Sequence, residues 1–197
     1  MSVLNSHALA VDRLHTELLK GVAAGSREQF SLLYHQLHKP LLRLVYRYTQ
    51  CQEFIDALVE ETFAIIWKSP LGCHDGVRVV VWVMSLASQR ARLASESKYG
   101  YFSNKSNCQT FAGSDKTVSL GRSHDIEWVI GQMDVIGRVT VELAYYHGFS
   151  VGEIATVLDC SESVAKGALS SSQERLYEFL SERADVLSGG QKVEGPQ

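Results

Sequence analysis

Apolar residues recur at three- and four-residue intervals through most of this chain, the pattern of helices that bury one stripe. Residues 11–22 place Leu14, Leu18 and Leu19 in such a stripe, and Gly25-Ser26 ends that unit and caps the next. Phe30, Leu33, Tyr34 and Leu37 then face one way. Pro40 is expected where a new turn starts, with Leu41, Leu42, Leu44, Val45, Tyr46 and Tyr48 continuing as a long helix. A third helix is expected over 54–67, with Leu58, Phe63, Ile66 and Trp67 turned inward, and Ser69-Pro70-Leu71-Gly72 stops it. Residues 77–93 are strongly apolar, and Val79, Val80, Val81 and Val83 favour a strand on local propensity. The helical spacing of Trp82, Leu86, Ala87 and Leu93 favours a buried helix instead.

Between 99 and 123 the periodicity vanishes and Gly, Ser, Asn, Lys and Thr dominate, as in a flexible interdomain linker. Helical pattern resumes at Ile126 with Trp128, Val129, Ile130 and Met133, and continues through Val139, Val141, Leu143 and Tyr146 to Gly148. Ser150-Val151-Gly152-Glu153 then reads as a capping box opening a short helix with Ile154, Ala155 and Leu158 inward. Asp159-Cys160 breaks it, Ser161 caps again, and Val164, Ala165, Ala168, Leu169, Leu176, Phe179 and Leu180 form the next stripe. Two short helices, a tight turn and small residues for close crossing make a helix-turn-helix. The expected fold is all-α: a helical domain over 1–98, a flexible linker over 99–123, a helix-turn-helix domain over 124–183 and a mobile tail over 184–197.

Composition narrows the function. At 197 residues and 45% apolar, the chain can pack one domain or two small ones. No apolar run approaches the roughly 20 residues that span a membrane. Residues 1–9 lack a signal-peptide pattern, so a cytoplasmic protein with no membrane insertion is expected. Cys51, Cys73, Cys108 and Cys160 are scattered without a CxxC pair and read as reduced thiols. His35 and His38 lack a third metal ligand, and nothing completes a nucleophile set around Cys73-His74-Asp75. Glycine-rich phosphate loops and hydrolase or zincin motifs are missing. No enzymatic role, cofactor or metal is therefore expected. The net charge of −3 is unevenly spread: residues 1–98 carry 11 Lys/Arg and 9 Asp/Glu, residues 99–197 carry 8 and 13. The outward face of the second helix of the pair offers Glu162, Ser163, Lys166, Gly167, Ser170, Ser171, Gln173 and Glu174, with a single cation. Such a reader needs a larger partner to hold DNA tightly.

Three stretches together resemble the extracytoplasmic-function group of sigma-70 family sigma factors of bacterial RNA polymerase. Gly25-Ser26-Arg27-Glu28-Gln29-Phe30 with Leu33-Tyr34 is similar to the family's opening helix. Residues 57–68, Ala-Leu-Val-Glu-Glu-Thr-Phe-Ala-Ile-Ile-Trp-Lys, resemble its polymerase-docking helix. Tyr146-His147-Gly148-Phe149-Ser150, with Glu153-Ile154-Ala155 and Leu158, resembles its promoter-reading domain. Trp82-Val83-Met84-Ser85-Leu86-Ala87-Ser88-Gln89 resembles the segment that engages and melts the minus-ten element. The chain departs from the family pattern at Ala57, where aspartate is usual, at Glu60 for glutamine and at Gln89 for asparagine. Met133-Asp134-Val135 stands where the family has Leu-Pro-Pro, and Ala168, Ser171 and Gln173 fall on basic positions.

The resemblance implies a non-enzymatic promoter-specificity factor whose partners are core RNA polymerase, promoter DNA and an anti-sigma factor. Its polymerase contacts would be Leu58, Val59, Glu60, Glu61 and Phe63. Minus-ten contacts would be Arg78, Trp82, Gln89, Arg90, Arg92 and Lys98. Recognition-helix contacts would be Ser163, Lys166, Gly167, Ser170 and Ser171. Trp67 and Trp82 could stack on melted bases, although core packing is the simpler role. The loop over 69–78 stands where the family captures an extruded base. The rival reading is a sigma-like protein that binds polymerase or a regulatory partner without initiating transcription alone.

Overall fold

The helix boundaries follow caps written into the sequence. The structure, a computed structural model, describes residues 2–74, 76–97 and 122–189. Helix α1 (Ser2–Ala23) starts well before the expected residue 11. It ends at Gly25, whose φ of +84° only glycine adopts without strain. Ser26 caps α2 (Arg27–Thr49), its hydroxyl accepting from the Gln29 amide at 3.3 Å. Helix α2 runs through Pro40 rather than restarting there. Proline removes one backbone bond, but Leu33, Leu37, Leu41, Leu44 and Val45 are all buried along one face and hold the helix together. Helices α3 (Ile55–Lys68) and α4 (Val79–Ser97) complete the first half, with α2 against α1, α3 and α4. The valine run is helical, as its spacing implies: Val79, Val81, Val83, Met84, Ala87 and Ala91 are buried, and burial overrides strand propensity.

Of the expected linker, only 122–123 fall among the described residues, at the start of α5 (Arg122–Gln132). The continuous pattern expected from Ile126 to Gly148 is broken. Asp134 caps a separate α6 (Val135–Val141), accepting from the Gly137 amide at 2.7 Å. A π-helical turn, Glu142–Tyr146, then leads to Gly148 at φ +65°. The capping box forms as expected: the Ser150 hydroxyl accepts from the Glu153 amide, and the Glu153 carboxylate accepts from the Ser150 amide. Helix α7 (Val151–Leu158) stops at Asp159 in the left-handed conformation, φ 54°. Helix α8 (Glu162–Gly189) carries the chain past 184, where a tail was expected to begin.

The two halves share one core. Leu33, Leu41, Ile55, Val59 and Met84 belong to the same buried cluster as Val139, Leu143, Phe149, Ile154, Val157 and Ala165. Helix α4 packs on α7, and α2 on α6. A second cluster, Val129, Ile130, Met133 and Val141, is covered by Leu176 and Phe179 of α8. All described residues in regular elements are helical, and no helix among them is long and apolar enough to cross a membrane.

Candidate nucleic-acid interface

Helix α3 divides sharply into two faces. Leu58, Val59 and Phe63 are buried in the core, so of the five expected polymerase contacts only Glu60 and Glu61 face outward. Trp67, expected inward, is 39% exposed, resting edge-on against Phe30 with ring centroids 5.1 Å apart. It lies one position beyond the buried Ile66, at the edge of the stripe. Leu71, in the following loop, is almost fully exposed.

Helix α4 carries the expected minus-ten residues, and few of them are free. Trp82 is half-buried against the loop: a Cβ on Gly72 would lie 3.2 Å from its ring. That geometry is core packing rather than an open stacking platform. Arg78 is clamped, its Nε 2.7 Å from Asp12 of α1 and its Nη1 2.9 Å from Glu153 of α7. Its guanidinium also sits 5.6 Å over the Phe149 ring. Arg92 reaches Asp159 at 3.4 Å. Arg90 is half-buried, while Gln89 is exposed beside α7, where Ser85, Ser88, Gln89, Arg92, Thr156 and Asp159 line a shallow groove. Lys98 and Asp75 lie outside the described residues.

On α8 the face expected to meet DNA is outward. Ser163, Lys166, Gly167, Ser170 and Ser171 are all exposed, and Ala165 is buried against α7. Space is open around Gly167, so its lack of a side chain is not forced by packing. Gln173 is instead half-buried, donating to the Tyr145 hydroxyl at 3.0 Å.

A polar network between the halves has no counterpart in the sequence reading. Arg47 of α2 is buried, and its Nη1 and Nη2 donate to Glu127 at 2.7 and 3.1 Å while its Nε donates to Glu142 at 3.0 Å. Glu142 is fully buried and also meets Arg43 at 3.1 Å. Arg138 donates to the Arg47 carbonyl at 2.9 Å and to that of Met133 at 2.7 Å. Burial alone would push the Glu142 carboxyl up, but hydrogen bonding from His147 and the charges of Arg47 and Arg43 hold it below the ordinary range. Glu127 and Glu153 are held low in the same way, against burial, by Arg47 and by the Ser150 amide with Arg78. The available signal was a charge inside an apolar run: Arg47 sits among Val45, Tyr46 and Tyr48, and Glu142 follows Val139-Thr140-Val141.

His15 is buried between the same elements with neither ring nitrogen paired, and burial lowers its pKa below the ordinary value. His35 and His38 flank the Tyr34 ring, His38 stacked on it at 4.7 Å. Cys51, Cys73 and Cys160 are free thiols, and no metal-holding group of three or more His, Cys, Asp or Glu occurs among the described residues.

Two solved structures share this architecture. CnrH, in complex with the cytosolic domain of CnrY, aligns over 86% of this chain and 98% of its own, at 17% identity and a TM-score of 0.60. The sigma factor RpoE, in complex with the anti-sigma factor NepR from Bartonella quintana, aligns over 76% and 96%, at 18% identity and a TM-score of 0.57. The fold is that of a sigma factor. No protein-family model matches the chain, and no curated protein matches it by sequence. The fold likeness covers both helical halves, and so includes the helix-turn-helix as well as α2–α4.

Proposed function

We propose that this protein is a promoter-specificity factor that binds core RNA polymerase and directs initiation at particular promoters. The observation that carries this reading is one shared fold with RpoE in which docking-type and promoter-type segments occupy outward faces of α3 and α8. Glu60 and Glu61 on α3 meet a basic surface of polymerase, while Leu58, Val59 and Phe63 hold the helix in place from beneath. The minus-ten element is engaged by α4 and its preceding loop. Ser163, Lys166, Gly167, Ser170 and Ser171 on α8 read the upstream element through hydrogen bonds to base edges. The domains in this reading are 1–98 and 124–183, with α8 extending the second, and the factor makes no covalent bond. It acts by differential binding, holding polymerase at chosen sequences and stabilising the melted strand. An anti-sigma factor is a fitting partner, since RpoE was solved with one.

The test is retention of core polymerase on immobilised protein, followed by sequencing of the DNA held by the complex. Enrichment of a shared upstream and minus-ten sequence is expected. Polymerase retained with random DNA would favour the rival reading of a non-initiating polymerase binder, and the arginines occupied within the fold give that rival its support.

A further inference from the structure

We infer that α7 is a latched cover over α4, and that promoter DNA and the latch compete for the same arginines. This rests on the reading of α4 as a DNA-facing helix. The latch has two outer pairs. Arg78 is held by Asp12 and Glu153 at 2.7 and 2.9 Å, and Arg92 by Asp159 at 3.4 Å. Both acidic partners from the second half, Glu153 and Asp159, sit at the two ends of α7. They bracket the face whose Val157 packs into the shared core and whose Thr156 edges the groove beside Gln89. A phosphate backbone cannot reach Arg78 or Arg92 along α4 while α7 lies there.

The unequal charge of the two halves thereby gains a role. The acidic excess of residues 99–197 is spent in part on neutralising arginines of residues 1–98, namely Arg43, Arg47, Arg78 and Arg92. The pairs are also graded. Arg47 and Glu142 are 6% and 0% exposed, whereas Arg92 and Asp159 are 41% and 84% exposed. Water and salt reach the outer pairs and not the inner one. The inner pair acts as the pivot between α2 and the π-helical turn, and the outer pairs release first. Opening exposes α4 and frees two cations together.

The test uses the full chain with Glu153→Gln and Asp159→Asn combined. Glutamine preserves the capping box and asparagine tolerates the left-handed turn, so the local backbone keeps its caps. A control carries Glu28→Gln and Glu178→Gln, the same charge change on exposed positions away from the latch. Small-angle scattering reads the radius of gyration, and fluorescence anisotropy reads binding to a labelled forked DNA of mixed sequence. The latch variant is expected to expand and to bind about fivefold tighter than the control. Native protein is expected to expand likewise when salt is raised to about 1 M, where the screening length falls to about 3 Å. An unexpanded latch variant overturns the inference, as does expansion with no gain in DNA binding over the control. Failure of the promoter-specificity reading looks different: expansion and DNA binding persist while polymerase yields no transcript with either protein.

Discussion

Arg47 is the side chain on which the joint between the halves depends most. Arg47→Met keeps most of the buried stem and removes the charge. Glu142, fully buried, then keeps only Arg43 at 3.1 Å and His147 at 3.5 Å. Glu127, nearly half exposed, recovers its solvation in water. Removing one partner of a buried pair destabilises by about 3–5 kcal/mol, and the remaining partners of Glu142 place the loss near about 3 kcal/mol. At about 2–4 °C per kcal/mol for a chain of this size, Tm falls by about 6–12 °C. Thermal and urea unfolding followed by circular dichroism measure this. Arg47→Met with Glu142→Leu should recover much of the loss, because an apolar pair of similar volume leaves no buried charge unpaired. The pH profile gives a second check. Glu142, Glu127 and Glu153 have folded pKa values below the ordinary 4.5, so their stabilisation is present above that pH and lost as pH falls through the folded values. Arg47→Met should flatten this acid loss. A single variant within about 1 kcal/mol of the native protein, or a double variant as unstable as the two losses added, would refute the reasoning.

Three further outcomes are expected. His15→Leu should stabilise the fold by about 1 kcal/mol, since it removes two unpaired buried nitrogens. Because the folded pKa of His15 is depressed, the native protein should lose stability as pH falls below 6.5 and the variant should lose less, as measured by Tm against pH. Gly137→Ala places a methyl 2.9 Å from the Asp134 carboxylate and 3.1 Å from the Ser172 hydroxyl, so urea unfolding should show a loss of about 1–3 kcal/mol. Lys166→Ala should lower promoter-dependent transcription more than polymerase retention, because one phosphate or base contact is lost from α8 and none from α3.

The helices were legible because caps and stripes are local. Ser26, Ser150, Asp159 and Gly148 each act where their chemistry places them. The failures share a different cause. Pro40 stays inside α2 because the packing of α2 against three helices outweighs one lost backbone bond. The Asp134 cap breaks an apolar pattern whose periodicity is nearly continuous on either side. For the site, face assignment on α8 was readable from polar spacing, while the fate of Arg78 and Arg92 was not. Their partners Glu153 and Asp159 lie 75 and 67 positions away, and long-range pairing leaves no periodic trace. Glu153 in particular has a complete local role in the capping box, which hides its second role on Arg78.

The central claim is that this chain gives core polymerase a promoter preference. Multiple-template run-off transcription with purified core polymerase, using the DNA recovered from the retained complex, tests it most directly. The account predicts discrete transcripts that require this protein and weaken with Lys166→Ala. Binding of polymerase by the folded protein with no specific transcript from any recovered template would contradict it.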